Sequence, residues 1–113
     1  MKIVLEPGES REEMLTALSS VVRDDVNKAI VRYVLENEEH AYLNEISRAL
    51  TDKGIGSRKT VYDRLVDLET TGVLDTAMVK IPYQNSKEHS TKVWVKRYSL
   101  SDRHKAWAKR LLD

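Results

Sequence analysis

Ser57, Arg58, Lys59, Thr60, Tyr62, Asp63 and Arg64 fall within eight consecutive positions, and their side chains are of the types that meet phosphates and base edges. Arg58, Lys59 and Arg64 carry cations that neutralise phosphates or donate to O6 and N7 of guanine. The Ser57 hydroxyl, with the open amides of a helix N-terminus, donates to phosphate oxygens. Thr60 and Tyr62 suit phosphate or the methyl of thymine. Asp63 is repelled by phosphate unless it accepts from N4 of cytosine, so its expected role is to restrain Lys59 four residues away. Without a nucleic acid, the same set makes a solvated, charged helix face.

These side chains need a helix beneath them. Ser57 has the character of an N-cap, Val61, Leu65 and Leu68 form one apolar stripe, and Gly72 stands where a left-handed terminator is wanted, which predicts a helix over 57–71. At 100° per residue the stripe leaves Lys59, Asp63, Val66 and Thr70 on the opposite side, flanked by Thr60, Tyr62 and Asp67. After Gly72 the period changes to two. Residues 73–83 and 91–100 are rich in Val, Ile, Thr, Tyr and Trp around a polar 84–90, which predicts a hairpin. Lys80, Lys87, Lys92, Lys96 and Arg97 cluster there against Asp75 and Glu88, and His89 sits near the tip. Lys80, Lys87, His89 and Lys92 are the hairpin side chains expected to meet phosphate. Trp94 and Tyr98 are expected to pack beneath it, in preference to forming a stacking platform for single strands.

Upstream, residues 1–8 read as an arm or short strand, and Ser10 with Glu13 has capping-box spacing ahead of a helix over about 10–22. Asp24-Asp25 opens a second helix that ends near Asn37, and Tyr42 to Leu50 forms a short one. Two glycines within Thr51 to Gly56 then favour a turn. Ser101-Asp102 caps a last helix on which Leu100, His104, Trp107 and Leu111 recur at spacings of 4, 3 and 4.

The 113 residues suffice for one domain, and 41% hydrophobic with 33% charged residues argues against overall disorder. No apolar run suits a bilayer span and no cleavable leader is evident, so a soluble, cytoplasmic protein without membrane partners is expected. Cysteine is absent, which removes disulfides, thiolate nucleophiles and the usual zinc sites. His40, His89 and His104 are scattered, and no metalloprotease, nucleophile-elbow or phosphate-loop motif occurs, so neither catalysis, metal nor cofactor is expected. Net charge is +1, yet residues 1–50 carry 6 basic and 10 acidic side chains while 51–113 carry 13 and 8. That split suggests a polyanionic partner, nucleic acid before an acidic membrane surface.

The segments NEISRAL and GSRKTVYDRLVDLETTGVL, with the pattern S-x-x-T-V-x-x-x-L-x-x-L-x-x-x-G-x-L, resemble archaeal and bacterial winged-helix transcriptional regulators of the arsenic-repressor-like, PadR-like and MarR-like kind. The likeness covers Asp24 to Leu100 and is specific to the fold more than to one family within it. It implies an α+β chain: a winged helix-turn-helix of three core helices and a two-stranded wing over 23–100, with additional helices at 1–22 and 101–113. It further implies a homodimer bound to double-stranded DNA, with the 57–71 helix in the major groove. Leu100, His104, Trp107 and Leu111 are the expected two-fold interface, the alternative being that the last helix folds back on its own domain. A module of the same fold that docks a protein in a replication or transcription assembly is the other functional expectation.

Overall fold

A computed structural model of the chain describes Ser19, Val21, residues 23–82 and residues 92–112, with Arg103, Leu111 and Leu112 in backbone only. The arm at 1–8 and the expected helix over 10–22 lie outside the described residues, except that Ser19 and Val21 are helical and Val21 is fully buried.

Asp24 sets the start of α1 (Asp25–Glu36). Its own backbone is extended, and its carboxylate accepts from the amides of Val26 and Asn27 at 2.8 and 3.2 Å, satisfying two donors that a helix start leaves open. Ile30, Val31 and Val34 turn one face of α1 into the core. Asn37 ends the helix where expected, with both its backbone and side-chain amides donating to the Tyr33 carbonyl.

The next two helices end alike. In α2 (Leu43–Asp52) Ile46, Ser47 and Leu50 are buried, and in α3 (Arg58–Thr70) Val61, Leu65 and Leu68 are, as the stripe predicts. Ser57 caps α3 through its Oγ, which accepts from the Thr60 amide at 3.1 Å. Past α2, Ile55 N–H bonds to Leu50 and Gly54 N–H to Thr51; past α3, Val73 N–H bonds to Leu68 and Gly72 N–H to Glu69. Both are Schellman closures, with Gly54 and Gly72 at φ 71° and 81°. The glycine cluster therefore stops α2 two residues later than Leu50, because the terminator is Gly54 itself and the turn before it stays helical.

Two antiparallel strands follow, β1 (Asp75–Pro82) and β2 (Lys92–Ser99), registered from Asp75 opposite Ser99 to Pro82 opposite Lys92. Tyr98 N–H also bonds to the Ala41 carbonyl at 2.9 Å, and Tyr42 bridges Arg97, so a one-residue third strand flanks β2 on the side away from β1. The described residues thus form an α+β unit in which α1, α2 and α3 pack on one another, β2 rests on α1 and α2, and the hairpin projects outward.

The last helix, α4 (Asp102–Leu112), corrects the expected dimer stripe. It is opened by Ser101, whose Oγ accepts from the His104 amide, and it lies against α1. Trp107 and Leu100 are only 3% and 5% exposed within a single chain, and Ala108 is fully buried. His104 is half-buried, edge-on to the Trp107 ring. The Leu111 side chain lies outside the described residues. Lys105 fastens the helix by pairing with Glu38 at 3.1 Å, just beyond α1. Leu100 and Trp107 are thus taken up by the chain's own core, which needed a cover over α1.

Candidate nucleic-acid interface

The first turn of α3 stands clear of the body. Ser57, Arg58, Lys59, Tyr62 and Asp63 are exposed and Thr60 is half-buried, its hydroxyl 2.9 Å from that of Ser57. Arg58 and Lys59 form no ion pair among the described residues. The helix carries three cations and three acids overall, but they are not distributed evenly: Arg58 and Lys59 sit in its first turn, while Asp67 and Glu69 sit in its last two. Lys59 is not held by Asp63, contrary to expectation, and Asp63 stays in solvent.

Arg64 is the second correction within this set. Its Nε donates to Asp24 Oδ2 at 2.7 Å, and a guanidinium nitrogen lies 4.0 Å from Asp67. It sits on the flank of α3 that faces the start of α1, so the nearest anion claims it before any phosphate does. Burial pushes the Asp24 carboxyl up, but the amides of Asn27 and Val26 and the Arg64 guanidinium outweigh it and hold the group below its ordinary range.

On the hairpin, Lys80 and Lys92 are exposed and have no ion pair among the described residues. Lys96 is committed inward: its Nζ donates to Glu69 at 2.7 Å and lies 5.5 Å from the centre of the Tyr98 ring. That contact lowers the Glu69 carboxyl and raises the Lys96 ammonium, each mainly through the shared hydrogen bond. Thr76 adds a second donor to Glu69. Lys87 and His89 lie outside the described residues. Among the described residues of α3 and the hairpin, pairing therefore leaves the exposed Arg58, Lys59, Lys80 and Lys92 and the half-buried Arg97 as cations without an ion pair, with Asp63 and Asp75 the acids without one.

Trp94 departs from expectation. It shares a sheet face with Lys96 and Tyr98, yet Tyr98 is buried and Trp94 is 62% exposed. The reason is reach. Four residues along an extended strand cover about 13 Å, which carries Trp94 past the edge of the helices that cover Tyr98. Opposite it in the register stands Lys80, whose ammonium lies 5.7 Å from the ring centre.

A groove of about 790 Å³ runs between α2 and the hairpin, walled by Tyr33, His40, Tyr42 and Arg48 on one side and by Met78 and Trp94 on the other. A smaller hollow of about 520 Å³ continues it to the start of α3, between Asn44 and Ser47 of α2 and Arg58, Lys59 and Tyr62. The contribution of α2 escaped the sequence reading. Its signal was the spacing of Asn44 and Arg48, exposed polar residues at i and i+4 opposite the buried Ile46 and Leu50.

Among the described residues, no three His, Asp or Glu side chains are grouped to hold a metal ion, and no helix is long and apolar enough to cross a membrane. Comparison with family models, curated proteins and solved structures finds no match to this chain. Function is therefore inferred from the molecule's own geometry and charge.

Proposed function

We propose that the chain is a winged helix-turn-helix protein that binds double-stranded DNA and acts as a transcriptional regulator. The observation that carries this reading is the exposed first turn of α3, where Arg58 and Lys59 lie open beside the Ser57 cap. A helix N-terminus gathers unsatisfied amides and positive potential, and two uncompensated cations there suit a phosphate or a guanine edge in the major groove. Tyr62 follows one turn later. Lys80 and Lys92 extend the same charge onto the hairpin, which serves as the wing on backbone or minor groove. The order helix, helix, capped helix, hairpin, with the Ala41–Tyr42 strand alongside β2, supports the winged arrangement.

Two copies on successive half-sites complete the proposal, since one recognition helix reads few base pairs. Leu100 and Trp107 have no part in joining them. Fluorescence anisotropy against random and selected duplexes at two salt concentrations tests the reading: binding that steepens as salt falls and ranks the duplexes supports it, and no binding at low salt ends it.

A second reading draws on Tyr62 and Val66, apolar side chains exposed on the same helix. A protein-docking module would use them, and its binding would survive high salt.

A further inference from the structure

The groove between α2 and the hairpin has no role in duplex binding as proposed above. We propose that it seats unpaired bases of a single-stranded nucleic acid, with Trp94 as the stacking platform; this rests on the nucleic-acid reading but gives the molecule a second mode of contact.

Four observations converge. Trp94 is the most exposed large apolar side chain of the described residues, at 62%. The opposite wall is also aromatic: Tyr33, His40 and Tyr42 line it, with His40 and Tyr42 edge-to-face at 6.2 Å. Bases stack on such rings whatever their identity, because every base has a π-face. The volume, about 790 Å³, lies within the range of sites that enclose small ligands, so a nucleotide has room.

Charge selects the occupant. Arg48 lines the groove beside Glu45, Lys96 there is already paired with Glu69, and Lys80 stands over the Trp94 ring at its edge as the open cation. An apolar peptide would leave that ammonium desolvated and unmatched. A sugar–phosphate backbone running along the rim meets Lys80 and Arg48 while its bases turn inward, which is how stacking surfaces and basic grooves combine on single strands. The same rim does not suit a duplex, whose bases are already stacked on one another.

Tryptophan emission reads this out, since the chain has only Trp94 and the buried Trp107. The probes are an oligothymidylate and an oligouridylate of about twelve nucleotides and a blunt duplex, all at low salt. The expected result is quenching by either single strand, with deoxyribose and ribose arms showing which sugar is preferred. Trp94→Ala should weaken single-strand binding about tenfold, and Trp94→Phe should keep most of the affinity while losing the quench. Lys80→Gln should weaken it less and flatten its salt dependence. Melting followed by circular dichroism establishes that each variant is folded; were Trp94→Ala not, Trp94→Phe and Lys80→Gln carry the test. Duplex affinity should change less than about twofold in Trp94→Ala. No quenching, or equal single-strand affinity with and without the indole, overturns the proposal. If duplex binding through Arg58 persists in that case, the regulator reading stands without it. Salt-independent binding of a protein at the groove, with oligonucleotides inert, overturns it in favour of a docking site.

Discussion

Asp24 and Arg64, forty residues apart, share one carboxylate: Oδ2 receives Arg64 Nε at 2.7 Å while Oδ1 receives the Val26 and Asn27 amides. A single side chain thereby starts α1 and fixes the flank of α3. The two jobs separate experimentally. Asn caps a helix about as well as Asp, so Asp24→Asn should lose only the ion pair, whereas Asp24→Ala should lose the cap as well, about 1 kcal/mol more. Arg64→Ala should cost up to about 1 kcal/mol, since the pair is partly solvated. Urea denaturation of these variants and of Arg64→Ala with Asp24→Asn measures the coupling, and additivity would show that the pair contributes nothing.

Arg58→Ala and Lys59→Ala should each weaken duplex binding and lower the log–log salt slope by roughly 0.9 for every phosphate left without its cation. Their melting temperatures should match the parent, because neither side chain touches the core. Arg64→Ala should leave the slope unchanged. A reduced slope for Arg64→Ala together with an unchanged one for Arg58→Ala would reverse the assignment of the two arginines.

Stability should form a plateau in pH with an edge on each side. Asp24 and Glu69 have lowered carboxyls, so their contribution is complete above the ordinary carboxylate range and disappears as pH falls through their folded values. Lys96 has a raised ammonium, so its contribution is complete below the ordinary lysine range and disappears as pH rises through its folded value. Glu69→Gln should remove part of each edge, leaving the Asp24 share of the acid one and, in the alkaline one, the shares of Lys105, Tyr33 and Tyr98, which are raised as well. Thermal melts from acid to strongly alkaline buffer check this, and an alkaline edge of undiminished size in Glu69→Gln would count against the pair.

The two tryptophans should answer oppositely to truncation. Trp107→Ala opens a cavity in the core and should cost about 3 to 5 kcal/mol, whereas Trp94→Ala on the exposed hairpin should cost no more than about 0.5 kcal/mol. Trp107→Phe should cost far less than Trp107→Ala, because it keeps a ring and removes an indole N–H that has no acceptor among the described residues. Chemical denaturation resolves differences of this size. Equal costs at 94 and 107 would contradict the burial pattern.

Local signals survived translation into structure. The Ser57 cap, the Val61, Leu65 and Leu68 stripe, the Gly72 terminator and the change of period after it are each properties of a few neighbouring residues, and each is found where the sequence places it. What was hidden depends on the third dimension. Asp24 and Arg64 announce nothing to each other along the chain, and a one-residue strand at Tyr42 has no period to detect. Periodicity also gives Trp94 and Tyr98 the same face without telling how far the hairpin outruns the body. For α4 it identified the apolar stripe and left open what would cover it, which the position of α1 decides.

The pairing of β2 on both sides makes the hairpin a lever with a fixed root. Tyr98 is held there by the Ala41 carbonyl and by its own burial, and Lys96 is tied to Glu69 of α3. A load on the hairpin near Lys80 or Lys92 is therefore borne at its root by α3, through Glu69, and by the head of α2, through Tyr42, and not by the two strands alone.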